Sequence, residues 1–139
     1  MMITTTSAFA YAAFASPSYY PVQVERIALA APSGQPLDDC RSSGGRLTMI
    51  VVTVKSLSNS VQPIAAVIIV ELEDNTNGVT QLLQWQTMSI NPNAEQQMAI
   101  SFDPSSLPPS GQYEANIMIW NQVLAPMPLG SPSRVPINC

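Results

Sequence analysis

The sequence predicts an all-β fold, an antiparallel Greek-key β-sandwich of about seven strands with an N-terminal extended arm. Three observations carry that reading. Short runs of strand-forming residues recur at regular spacing, separated by clusters of Gly, Pro, Asn and Asp. From Tyr113 to Trp120 the side chains alternate with period two, setting Tyr113, Ala115, Ile117 and Ile119 on one face and Glu114, Asn116, Met118 and Trp120 on the other. No stretch requires a long helix.

The arm comprises residues 1–20 and the sandwich residues 21–139. The arm is uncharged and rich in small and aromatic residues, with Phe9, Tyr11, Phe14, Tyr19 and Tyr20. Ile3, Thr5, Ser7, Phe9 and Tyr11 line one face if it is a strand, while the Ala-rich run to Ala15 equally suits a short helix ended by Pro17. Three consecutive threonines favour the strand, because β-branched side chains cost helix stability.

After Pro21 the runs follow in order. Val22 to Ala30 is the first, and a loop from Ala31 passes Cys40 to Gly44-Gly45. Leu47 to Lys55 is almost continuously apolar, which predicts a central strand buried on both faces. Ile64 to Glu73 is apolar again, and Asn77-Gly78 signals a hairpin into Thr80 to Ile90, where Leu83, Trp85 and Thr87 alternate with Leu82, Gln84 and Gln86. Gln96 to Phe102 places Met98, Ile100 and Phe102 on one face before a Pro-rich crossover. Arg134 to Cys139 is the last run, and Pro136 confines it to a sheet edge or to a bonding pattern that spares its missing N–H.

At 139 residues the chain suits one domain plus an arm. Hydrophobic residues make up 46% and charged residues only 10%, the reverse of a disordered composition. A formal charge of −4, with Lys55 the sole lysine, leaves no basic stripe for phosphates and argues against nucleic acid as a partner. No segment has the ~18 apolar residues of a membrane span. Ser7-Ala8-Phe9-Ala10 resembles a signal-peptidase site, but no Lys or Arg precedes Arg26, so the arm is read as part of the working protein.

Cys40 and Cys139 lie too far apart for a C-x-x-C redox or zinc pattern. A disulfide between them predicts an oxidising compartment and a location outside the cell or on its surface; two free thiols in a cytosolic protein are the alternative. The chain has no His, which removes the commonest general base and transition-metal ligand. No catalytic residue, cofactor or metal ligand is predicted. The acids at Asp38-Asp39 and at Glu71, Glu73 and Asp74 suit a calcium ion by type, but neighbouring acids in loops are usually solvated charges. Trp85 and Trp120 would make a sugar-stacking platform if exposed, although in a sandwich such residues more often serve core or interface.

The motif L-x-P-x-G-x-Y, formed by Leu107, Pro109, Gly111 and Tyr113, resembles the tyrosine corner of fibronectin type III and immunoglobulin-like modules, in which the Tyr hydroxyl bonds to backbone just upstream. Gly111 to Trp120, with Pro126 to Leu129 and Pro132, is similar to the final two strands of immunoglobulin-like modules in archaeal and bacterial surface proteins. A sandwich with a short apolar N-terminal strand also resembles, in architecture alone, the donor-strand filaments of archaeal surfaces, the threads and bundling pili. It departs from type IV pilins, whose N-terminal helix is longer and more apolar. This resemblance implies an extracellular, non-enzymatic structural subunit. It would polymerise head to tail with copies of itself by donating Ile3, Thr5, Ser7, Phe9, Tyr11 and Phe14 to a neighbour's groove. The alternatives are a monomeric surface module that binds other surface proteins or glycans, and a viral coat or decoration protein.

Overall fold

The computed structural model describes residues 20–42, 47–58, 61–108 and 111–139. Eight strands follow in order: β1 (Val22–Ala30), β2 (Pro36–Leu37), β3 (Thr48–Ser56), β4 (Ile64–Asp74), β5 (Val79–Ile90), β6 (Glu95–Phe102), β7 (Gln112–Trp120) and β8 (Ser133–Asn138). The seven runs expected from the sequence are all present, with ends that move by a residue. The eighth strand, β2, has only two residues, too short to show a period, and it exists because Leu29 and Ala30 of β1 pair with it.

The strands form two antiparallel four-stranded sheets, ordered β2-β1-β3-β6 and β5-β4-β7-β8. The chain changes sheet after β3, β5 and β6, which makes an immunoglobulin-like Greek-key sandwich. Period-two alternation delivers one face of each strand to the space between the sheets. Ile50, Val52 and Val54 of β3 meet Ile68, Val70 and Leu72 of β4 and Ala115, Ile117 and Ile119 of β7 in one buried cluster. β3 is central in its sheet, but its burial is uneven. Met49, Val51 and Lys55 on its outer face are only half-buried, since a sandwich covers a central strand on one face alone.

Turn chemistry agrees with the topology. Between β4 and β5 the Gly78 amide donates to the Asp74 carbonyl (2.8 Å), and Gly78 takes a φ of +71° that a side chain would resist. Asp74 and Asn77 each accept from a backbone amide two residues on, at Thr76 and Val79. At the other end of β5, Asn93 supplies the left-handed residue with φ 54°. Pro136 lies on β8, an edge strand, where no ladder donor is missed.

Candidate functional site

The crossover into β7 is built around Tyr113, whose ring is fully buried. Its hydroxyl donates to the Pro108 carbonyl at 2.9 Å, five residues upstream, and Leu107 is buried beside it. A side chain at Gly111 would come within 2.5 Å of the Tyr113 ring, so this position admits hydrogen only. Burial, and then the charge of Asp74, hold the phenol above its ordinary value of 10.0. Pro109 lies outside the described residues. Just before the corner, Asp103 caps the 3-10 turn Pro104–Ser106 by accepting from the Ser105 amide (2.9 Å) and hydroxyl (2.7 Å), which lowers its carboxyl.

Cys40 and Cys139 form a disulfide, with their Cα atoms 5.1 Å apart. It joins the loop after β2 to the end of β8. Around it the Cys40 amide donates to the Asn138 carbonyl (2.9 Å), and Thr48 Oγ1 donates to the Cys40 carbonyl (2.6 Å). Arg41 ties this knot to the corner, donating from Nε to the Cys139 carbonyl and from Nη2 to that of Pro108 (3.3 Å). Such a bond is consistent with an oxidising, extracytoplasmic compartment.

The outer face of the second sheet is divided in two. Along its apolar half the register sets Trp85 beside Ile69, Ile69 beside Met118, and Val67 beside Trp120. Ile69, Leu83, Trp85, Met118, Trp120 and Val123, together with Glu71, border an open cleft of about 300 Å³. Neither tryptophan lies in the core. Trp85 is 56% and Leu83 53% exposed, because β5 and β7 turn the face carrying them away from the other sheet. The polar half is a linked network. Thr80 and Asn116 Nδ2 (2.9 Å) donate to the Glu71 carboxylate, Arg134 Nε donates to Asn116 Oδ1 (2.8 Å), and the Arg134 guanidinium pairs with Glu114 and Glu73. Those hydrogen bonds, with help from the Arg134 charge, hold the Glu71 carboxyl below its ordinary value of 4.5.

A second surface is the seam between β1 and β8, the flanking strands of the two sheets. β2 covers β1 only at Leu29 and Ala30, so among the described residues the rest of that edge has no strand neighbour. Two clefts lie along the seam. One, of about 210 Å³, is bordered by Tyr20, Val22, Val24, Leu57 and Ser133. The other, of about 310 Å³, is bordered by Ile27, Leu29, Leu37, Val135 and Ile137. The sequence of residues along both clefts shows that β1 and β8 run in the same direction. Val24, Ile27, Leu29 and Val135 are only partly buried while packing on the core, so apolar side chains show through the seam.

The candidate arm residues Ile3, Thr5, Ser7, Phe9, Tyr11 and Phe14 lie outside the described residues. Of the acids considered for calcium, Glu71 and Glu73 share the outer face but their oxygens are engaged by Thr80, Asn116 and Arg134, and Asp74 is buried on the opposite face. Asp39 accepts from the Arg41 amide (2.9 Å) in a local turn. Alternation alone did not find the Trp85–Trp120 face, because it assigns each tryptophan to a side of its own strand without saying that β4 brings the two strands together.

No family model matches the sequence, and a search of curated proteins finds no match. Among solved structures the chain is similar to the CARDB domain of a Pyrococcus furiosus protein crystallised with di-metal ions, at 18% identity and a TM-score of 0.48, over 68% of this chain and 74% of that one. It is also similar to β-glucosidase 3B of Thermotoga neapolitana in complex with glucose, at 7% identity and a TM-score of 0.42, over 84% of this chain and 17% of the enzyme. A β-glucosidase from Kluyveromyces marxianus is alike at 12% identity and a TM-score of 0.42, over 86% of this chain and 14% of that one. The chain thus spans only a small part of either enzyme, and these likenesses concern the β-sandwich alone.

Proposed function

We propose that this chain is an extracellular, non-catalytic structural subunit that assembles head to tail with its own copies, the arm of one entering the β1–β8 seam of the next. The observation that carries the reading is the seam itself, two parallel strand edges flanking clefts through which Val24, Ile27, Leu29 and Val135 show. An arm residue such as Phe9 or Tyr11 has the size to fill those clefts, and an extended segment lying antiparallel to β1 would add main-chain hydrogen bonds. The uncharged arm suits this place. Glu25, Arg26 and Arg134 on the flanking strands would oppose their own kind if two like edges met, but meet no like charge in the arm. Tyr20, the first described residue, borders the cleft of about 210 Å³, and Pro17 and Pro21 in the sequence favour a stiff, extended connection over a tight hairpin back onto the parent domain. Because such a contact does not close on itself, it produces a filament.

Removing residues 1–16 is expected to abolish filaments seen by electron microscopy, and adding the corresponding peptide is expected to raise the melting temperature of the truncated protein. Filaments that persist after truncation, or an intact protein that sediments as a monomer at all concentrations, would rule the reading out. A second reading, a monomeric surface module for protein or glycan ligands, is favoured by the exposed Trp85 and Leu83. A saturable ligand on a monodisperse monomer would select it.

A further inference from the structure

The free edge of β5 differs in chemistry from the other edges of the sandwich. An edge strand presents unpaired N–H and C=O groups, and proteins commonly guard it with charges, prolines or bulges. β1 is guarded by the irregularity between Val24 and Arg26 with Glu25 exposed there, and β8 by Arg134 and Pro136. β6 opens with an exposed Glu95. β5, V-T-Q-L-L-Q-W-Q-T-M-S-I, runs for 12 residues with no charge, proline or glycine. Among the described residues no strand pairs with its outer edge. The break in register beside Leu72 leaves Leu82 to Ile90 regularly paired with β4. Gln96 of β6 donates to the Ser89 carbonyl (2.9 Å) and so occupies the far end of the edge. Gln84 Nε2 donates to the Ser101 carbonyl of β6 (3.4 Å), and among the described residues no strand lies against the outer edge from Leu82 to Thr87.

We propose that two copies of this chain pair edge to edge through β5, antiparallel about a two-fold axis, joining their second sheets into one continuous sheet. The occupant is a second copy because an uncharged strand is complementary to itself: no like charges face each other across the junction, whereas Arg134 would oppose its own kind in a β8 pairing. A register centred on Gln84 sets Leu83 of one copy opposite Trp85 of the other, on the same face. These are the two most exposed large hydrophobic side chains of the strand, and aromatic–aliphatic cross-strand pairs are favourable. The contact extends into the cleft beside Ile69, Met118 and Trp120. It is independent of the arm and of the β1–β8 seam.

The test uses the full chain. Amides from Leu82 to Thr87 are expected to gain protection from hydrogen exchange as protein concentration rises. Leu83→Lys and Thr87→Lys are expected to abolish that gain while keeping the melting temperature that the wild-type chain has in dilute solution, and Val61→Lys, at an exposed position off the strand, is expected to keep the gain. Should the lysine variants fail to fold, the concentration dependence in the wild-type chain still decides. Exchange that does not change with concentration, or protection that survives both lysines, overturns the pairing. So does an oligosaccharide that binds a monomer over Trp85. Phe9→Ser in the arm is expected to leave β5 protection intact; its loss there would assign the contact to the arm and overturn the β5 assignment.

Discussion

Tyr113 shows how one side chain holds a crossover. Its hydroxyl and the Arg41 guanidinium both reach the Pro108 carbonyl, at 2.9 and 3.3 Å, so the segment before β7 is fastened from two directions. Tyr113→Phe removes the buried donor and is expected to cost about 1 kcal/mol, at the lower end of the range for a buried hydrogen bond because Arg41 still serves the acceptor. Denaturant titration measures this, and an unchanged midpoint would show that the bond contributes nothing. The residue pattern of the corner was legible in the sequence because its spacing is local. Arg41 was not legible, being 67 residues away from Pro108.

At the level of elements, the outer face of β4, β7 and β8 is held by the Glu71, Asn116 and Arg134 network. Hydrogen bonds from Thr80 and Asn116 keep the Glu71 carboxyl below 4.5 in the folded chain. A lowered carboxyl contributes stability that is present above its unfolded value and is lost as pH falls through the folded one. The melting temperature of the wild-type protein should therefore fall with acidification below pH 4.5, and that of Glu71→Gln should fall less. The group is only partly buried, so solvent keeps the difference small. Parallel pH–melting curves for the two proteins would show that the network carries no such linkage.

For the whole molecule, the disulfide closes a loop with a sequence separation of 99 residues, between the loop after β2 and the end of β8. Restricting the unfolded chain to that extent is worth roughly 4 to 5 kcal/mol in the chain-entropy picture. Reduction is expected to lower the unfolding midpoint in denaturant by a corresponding amount, and equal midpoints with and without reductant would contradict it. The bond also anchors β8, one wall of the β1–β8 seam, and in a filament it would hold that wall under tension.

What the sequence determined by itself is whatever depends on neighbours along the chain. Alternation in β7 placed Tyr113, Ala115, Ile117 and Ile119 in the core, Asn77-Gly78 marked the β4–β5 turn, and Pro136 limited β8 to an edge or to a pairing that spares its missing N–H, of which the structure has the edge. The tertiary structure decided which strands become neighbours. Strand order brought Trp85 and Trp120 onto one outer face with β4 between them, left β5 as an uncharged edge, and set β1 beside β8 with a seam between. The physical reason is that period-two patterning states which face of a strand avoids water, while the neighbour on either side follows from packing two sheets over one core. The two-residue β2 is the extreme case, since only pairing with β1 makes it a strand at all.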